Sequence, residues 1–541
     1  MEQALAKQLV ERRNRLASER TLWDEQWQEV NTFIIPRKAN INVSRTTGEK
    51  VAQEKFSSVA GHAHEILSAN LQGTLTSKSF RWFDLESPQL PDAAEDRMLR
   101  EWLDDVATEL WRSFNRSNFH SQSHEMYLDV TATGTACLLL EEKEGPANQF
   151  NGFVCTSHAT GSYFIEEDYE GVVNAICLDI NISAVQAFGW FGDAVSEKIM
   201  KDLDDDPNTM HKFIHWVLPR EDRNSDKIDS KNKAYASVFI EIQTNGVVKE
   251  SGYDEFPYLV PRWSKVSGEK YGRGPGTMAL PDIKVLDKAT ELELSAWAKA
   301  IDPPYKAMDD GVVGDVDLRP NGVTIVRDMN DIQVMESGAR WDVNRIKLEE
   351  YRSSIRQTFF ADQLELPASG PQMTATEVQA RFELMNRVLG PTLGRIETEF
   401  LNRLIDRAFK IMARKDALPE PPDGIDIGAI DVNYVGPLAR AQRSSEVQVT
   451  QQWLEIVAGI AQLDPQVLDN VNADAITHEM GQWLNVPTKF LLDQKQVDGI
   501  RKQRAERAQA EQKAAQQQQQ AQTMGTMAGA AASMEGGGQA Q

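Results

Sequence analysis

Between Lys7 and Ile35, Trp23, Trp27, Val30 and Ile34 stand at i, i+4, i+7 and i+11. That spacing predicts one face of a helix, and Pro36 stops it. Residues 51–80 and 94–130 predict two further helical regions. From Cys137 the pattern changes to short β-rich runs, "ACLLLEE", "GSYFIEED", "VVNAICLDI", "HKFIHWVL" and "YASVFIEIQT", separated by Gly, Asp and Asn turns. Such runs predict an α+β region with a mainly antiparallel sheet.

After "FPYLVPRWSKVSGEKYGRGPG" helical spacing resumes from Met278 to Ala300, carried by Leu280, Ile283, Leu286, Leu292 and Leu294, and Pro303 and Pro304 end it. A Gly- and Asp-rich segment follows, with "GVTIVRD" and "DIQVME" read as a strand pair. A helix is expected from Val343 to Phe360. Then comes "DQLELPASGPQMTATE", residues 362–377, long for a connection between packed helices. It closes on Thr374 and Glu377, the T-x-x-E spacing of a capping box. The helix so started carries Val378, Phe382, Met385 and Leu389 on one stripe. Leu393, Ile396, Phe400, Leu404 and Ile411 continue the spacing beyond Gly390 and Pro391, where a kink is expected. Helices are predicted again over 447–463, 473–484 and 488–520. The last is rich in Ala, Gln, Arg and Glu with little apolar stripe, and the chain from Thr523 reads as a flexible tail.

Composition narrows the function. The chain has 541 residues, 41% of them hydrophobic, enough for several domains. No apolar run reaches the roughly 18–20 residues of a membrane span, and the charged N-terminus does not read as a signal peptide, so synthesis in a cytosol is expected. The net charge of −23 argues against tight binding of a DNA duplex, which needs many Lys and Arg on phosphates. It is compatible with a protein that surrounds nucleic acid without gripping it. Cys137, Cys155 and Cys177 lie singly, without metal or redox spacing, and read as buried thiols.

Local chemistry is sparse. "GRGPG", with Gly272, Gly274 and Gly276, lacks the G-K-[ST] ending of a phosphate loop, and Pro275 removes an amide, so it reads as a turn feeding a helix. His211 and His215 have helical zinc spacing. They fall in a strand-like run, where residues four apart stand roughly 13 Å from each other. The acidic runs 202–208 and 309–318 lack the spacing of a calcium loop and read as solvated turns. No catalytic triad, nucleophile elbow, paired catalytic carboxylate or cofactor site is identified.

The order of elements resembles the portal, or head-to-tail connector, proteins of short-tailed double-stranded DNA bacteriophages. The features that carry this are "RWFDLESP", "FPYLVPRWSKVSGEKYGRGPG" before a helix, a small β insert between two helices, "MTATEV" opening a bent helix, and a Gln- and Ala-rich end. The resemblance covers roughly residues 5–500. It implies an α+β ring subunit with a wing (1–277), a first stem helix (278–301), a clip (302–338) and a second stem helix (339–361). A tunnel loop (362–373), a long bent helix of wing and crown (374–425), crown helices (426–522) and the tail (523–541) complete it. The implied function is a channel at one capsid vertex for DNA packaging and ejection, in the virion after assembly in the host cytoplasm. Implied partners are further copies of itself (twelve by resemblance), packaging terminase, tail adaptors, and capsid and scaffolding proteins. Double-stranded DNA would pass through non-specifically, and no membrane is involved. A non-channel virion scaffold or adaptor is the alternative.

In a ring, Asp362, Glu365, Leu366, Pro367, Ser369, Gly370 and Gln372 would project into the channel without a Lys or Arg to grip phosphate. Arg345, Arg352 and Arg356, at i, i+7 and i+11, are either a surface stripe paired with Glu349 and Glu350 or, if they face the bore, rings of positive charge. Lys284 and Lys288 are rivals for that role. Asp309, Asp310, Asp315, Asp317, Arg319 and Arg327 fall in the expected docking surface of the clip.

Overall fold

The computed structural model describes residues 2–42, 55–86, 97–146, 149–223, 229–301, 303, 305–307, 325, 326, 328, 332–334, 341–364, 389–422, 433–435, 437–462, 466, 467, 471–483 and 497–513. Their helices are α1 (Glu2–Phe33), α2 (Val59–Leu75), α3 (Arg97–Arg116), α4 (Phe119–Ala132), α5 (Ala184–Phe191), α6 (Glu197–Asp205), α7 (Pro275–Ile301), α8 (Trp341–Thr358), α9 (Ala361–Leu364), α10 (Asn402–Arg414), α11 (Pro437–Ala461) and α12 (Ala473–Trp483). The strands are β1 (Asp84–Glu86), β2 (Cys137–Glu142), β3 (Phe153–His158), β4 (Tyr163–Glu167), β5 (Val173–Ser183), β6 (Met210–Pro219), β7 (Tyr235–Glu241), β8 (Gly246–Tyr253), β9 (Tyr258–Leu259), β10 (Tyr305–Ala307), β11 (Ile332–Val334) and β12 (Asn433–Val435). Every strand pairing among them is antiparallel, so the fold mixes helices with antiparallel sheets, as expected. The described residues divide into two compact units. Those within 1–86, 106–419 and 432–439 form the first, and those within 87–105, 420–431 and 440–541 the second.

The centre of the first unit is a five-stranded meander, β4-β5-β6-β7-β8, beside a three-stranded sheet, β3-β2-β9. Side chains alternate across a strand, and here both faces of the meander are covered. Phe164, Cys177, Ile214, Trp216 and Val238 pack under Ala6, Leu9 and Leu16 of α1. Tyr163, Ile165, Ile176, Leu178 and Val217 pack on the opposite side with Trp27, Cys137 and Tyr258. Two-sided burial explains why these strands read as near-continuous apolar runs. All three thiols are buried.

Helix α1 lies along the meander through its arginines as well. Arg12 pairs with Glu166 and Arg13 with Asp179, while Arg20 donates to the carbonyls of Gly161 and Tyr163. The Arg20 guanidinium sits 3.8 Å from the Phe164 ring centroid.

Several elements differ from the expectation. The region 94–130 is two helices rather than one, broken at Ser117 and Asn118. The Asn118 amide bonds both the carbonyl and the N–H of Cys155 on β3, each at 2.8 Å, and Ser117 Oγ accepts from Phe119 N. Side chains that compete for backbone groups interrupt the helical ladder there. The acidic run 202–208 is not simply a turn, because Asp202 to Asp205 are the last turn of α6, started by Ser196 at its N-cap. Strand β11, within "DIQVME", pairs with Tyr305–Ala307, a partner that was not expected, while most of the expected partner "GVTIVRD" lies outside the described residues. Of the latter run only 325, 326 and 328 are described. Asp362, expected in a loop, lies in the short helix α9, which follows Phe360 at a φ of 56°.

The stripe Leu389, Leu393, Ile396, Phe400, Leu404 and Ile411 is buried as predicted. Gly390 and Pro391 are helical, and the residues just before 389, where Pro391 would kink the helix, lie outside the described residues. An unexpected π turn follows at Glu397–Leu401.

Candidate channel and docking site

The turn before α7 shows why "GRGPG" is glycine-rich. A Cβ on Gly274 would stand 2.8 Å from the carbonyl oxygens of Val130 and Thr131, and one on Gly272 would stand 2.4 Å from that of Gly134. Only glycine permits this backbone-on-backbone packing, and it fills the space a phosphate would need. From there the first half of α7 buries Ala279, Leu280, Ile283 and Leu286. Buried Asp287 accepts from the N–H groups of Phe56 and Ser57 at 2.8 and 2.9 Å. Helix α8 lies beside α7, tied to it by Ser354 Oγ donating to Asp282 at 2.7 Å, and buries Leu348 and Ile355, with Phe359 buried just past its end. Phe359 meets the His64 ring of α2 edge-on. The two long helices are thus fixed at one end on a rigid base.

The described candidate channel charges each have a carboxylate of the same chain. Lys284 pairs with Glu29 and Lys288 with Glu291, both at 2.7 Å; Arg352 pairs with Glu349 at 3.3 Å and Arg356 with Asp362 at 2.5 Å. Of the two glutamates expected beside these arginines, Glu349 pairs with Arg352, whereas Glu350 pairs with Lys347. Pairs this exposed hold by no more than about 1 kcal/mol each, so they remain exchangeable for phosphate. Arg345 belongs to α8; its side chain lies outside the described residues. So do Glu365, Leu366, Pro367, Ser369, Gly370 and Gln372 of the loop, the cap Thr374 with Glu377, and Asp309, Asp310, Asp315, Asp317, Arg319 and Arg327.

The histidines of β6 are engaged separately. His211 Nε2 lies 3.3 Å from Asp202, whereas His215 contacts Ser237 Oγ at 2.9 Å and Tyr258 OH at 3.2 Å and stacks on Phe239. Burial pushes His215 down to about 3, so it is neutral.

The most heavily bonded side chain among the described residues was not anticipated. Arg262, 1% exposed, donates through Nε and Nη2 to Glu399 at 3.1 and 2.6 Å, while its backbone N–H bonds the same carboxylate at 2.9 Å. Its remaining donors take Glu167, the carbonyl of Lys270 at 3.1 Å and that of Gly171 at 2.9 Å. Burial opposes the charge, but Glu399 and Glu167 outweigh it and hold the guanidinium pKa above its usual value. A lone arginine inside the apolar run "YLVPRW" was the available signal, since a buried charge demands partners. Arg407 is also buried and bonded, to Leu140 O and to Glu255.

The chain matches the bacteriophage head to tail connecting protein family over residues 6–492. It is 30% identical over 528 residues to a probable portal protein of Bordetella phage BPP-1, covering 94% of this chain and 93% of that one. It is also 30% identical over 521 residues to a portal protein of Salmonella phage epsilon15, covering 94% and 92%. The chain belongs to the family of phage head-to-tail connecting proteins, and the resemblance read from its order of elements is borne out. Among the described residues no helix is long and apolar enough to cross a membrane.

Proposed function

We propose that this protein is a portal subunit, copies of which close into a ring at one vertex of the capsid. Double-stranded DNA passes through the ring in packaging and ejection, and the ring is the platform for the packaging motor and then for the tail. The observation that carries this is the near end-to-end match to portal proteins of two phages, each covered over more than nine-tenths of its own length. The base and paired helices described above support it, since they give each subunit a packed body with two long helices lying side by side on it.

In this reading α7 and α8 are the stem, residues 302–338 the clip that meets terminase and tail adaptors, and the body around the meander the wing. Asp309, Asp310, Asp315, Asp317, Arg319 and Arg327 belong to that docking face. Residues 362–373 border the bore, with Glu365 to Gln372 offering DNA contact without a cation. Lys284, Lys288, Arg345, Arg352 and Arg356 are the candidates for positive rings within an acidic tube. Phosphate hydrolysis belongs to a separate motor, and capsid and scaffolding proteins surround the ring.

Twelve copies of a 60.7 kDa chain total about 730 kDa. Native mass spectrometry with negative-stain imaging tests the reading: a species near that mass with a central hole is expected. A 60.7 kDa monomer at micromolar concentration, or a rod without a hole, overturns it.

A further inference from the structure

Leading into the π turn, the buried residues Leu389, Leu393 and Ile396, and Phe400 within it, recur at i, i+4, i+7 and i+11. From Leu401 on, Leu404 and Ile411 are buried and continue that series, but a second buried stripe, Leu401, Ile405, Ala408 and Met412, repeats the same i, i+4, i+7 and i+11 spacing one residue later. One residue of an α-helix is a rotation of about 100°, so in an unbroken α-helix the two stripes would face different directions. The π turn Glu397–Leu401 absorbs one extra residue and brings both onto the core. On its upstream side Leu389 and Leu393 then lie in an apolar groove with Leu67, Leu71 and Leu75 of α2 and Leu364 of α9.

The same turn carries Glu399, the carboxylate gripped three times by Arg262. The far side of that guanidinium holds Glu167, at the end of β4, and the Gly171 carbonyl in the β4–β5 connection. One buried side chain therefore joins the edge of the meander to the π turn of this helix.

We propose that the π turn is a two-register joint, latched by the Arg262–Glu399 clamp, through which displacement of the β4–β5 connection rotates residues 389–396. When the clamp opens, the turn closes to α geometry. Residues 389–396 then turn by about 100° and move by about 1.5 Å relative to α10. Leu389 and Leu393 leave their groove. The two registers are discrete because helix stripes and packed grooves do not deform continuously. The joint is a property of the single chain and holds whether or not the chain forms a ring.

Hydrogen exchange on the full chain tests it with two changes. Glu399→Gln keeps the shape and removes the charge. Deleting Thr398, exposed on the turn, removes the extra residue and leaves both flanks facing as they do now. Glu399→Gln is expected to speed exchange of the 393–398 amides about ten-fold while residues 404–412 stay as they were. In the Thr398-deleted chain the same substitution should change nothing, because no second register remains. Equal acceleration in both backgrounds, acceleration spread evenly through α10 and the meander, or none at all overturns the proposal. So does a Thr398-deleted chain that fails to fold, since the regular register must be one the chain can adopt.

Discussion

The two halves of α7 are built from similar apolar residues and have opposite fates. In the first half Ala279, Leu280, Ile283 and Leu286 are buried within the chain. In the second, Leu292, Leu294, Trp297 and Ile301 are exposed, Ile301 by 84%. Helix α11 repeats the second pattern: Val449, Trp453, Ile456 and Ile460 fall at i, i+4, i+7 and i+11 and are all exposed. Each of the two units thus includes a helix with apolar side chains exposed in one copy. In a ring-forming protein that division is expected, since neighbours finish what one chain leaves open.

The sharpest break of the comparison is a large-to-small change on the finished side. Trp216 is fully buried, its Nε1–H bonds Leu9 O at 3.1 Å, and Arg12 lies over its ring. Trp216→Ala is expected to cost about 3–5 kcal/mol in urea unfolding of the monomeric form. A loss below about 1 kcal/mol would mean that the meander is not the stable body it is described as.

Acid should weaken the same side. His64, bonded to Leu128 O at 2.8 Å, is lowered by burial to about 4, and His215 to about 3, both from 6.5. The unfolded chain binds these protons and the folded one does not. Each therefore contributes stability that is whole above about pH 6.5 and lost as the pH falls from there toward 4. At about 1.4 kcal/mol per pH unit, each accounts for roughly 2–3 kcal/mol between pH 7 and pH 4.5. Unfolding curves at the two pH values should show His215→Gln flattening this dependence. An unchanged slope would reject the assignment.

The bare side should respond in assembly and not in fold. Leu292→Asp together with Ile301→Asp removes apolar surface that one chain does not bury. The monomer's unfolding free energy should stay within about 0.5 kcal/mol, while ring formation by native mass spectrometry should fall sharply. Rings that form normally would place the subunit interface elsewhere.

What the sequence disclosed follows the same division. Strands of the meander were legible because both their faces are buried, and α7 and α8 because their stripes are regular. The break at Ser117 and Asn118 was not, since it depends on Cys155 of a strand 37 residues away. Nor were the arginines of α1, whose acidic partners on β4 and β5 are more than 150 residues distant. The π turn was hidden for a different reason: Leu404 and Ile411 fit the upstream stripe by themselves, and the one-residue slip shows only when Leu401, Ile405, Ala408 and Met412 are counted with them. Of the carboxylates paired with the candidate charges on α7 and α8, only Glu349 was foreseen; Glu29, Glu291 and Asp362 were not. Arg262 was missed because its value lies in Glu399, 137 residues on.

The smallest effect separates packing from function along α7. Lys284 and Lys288 stand on its exposed side, each paired with one glutamate. Because both partners are solvated, Lys284→Gln with Lys288→Gln should change stability by no more than about 1 kcal/mol in total. Assembly should be unaffected, since neither lysine contributes to the apolar surface left bare. If the two face the bore, however, each loss is multiplied by every subunit of the ring, and an acidic tube loses the cations that offset its repulsion of phosphate. DNA retained per particle should then fall, more steeply at low salt, where screening is weakest. Particles that assemble and hold a full genome at both salt concentrations would assign these lysines to the outer face and leave the positive ring to Arg345, Arg352 and Arg356.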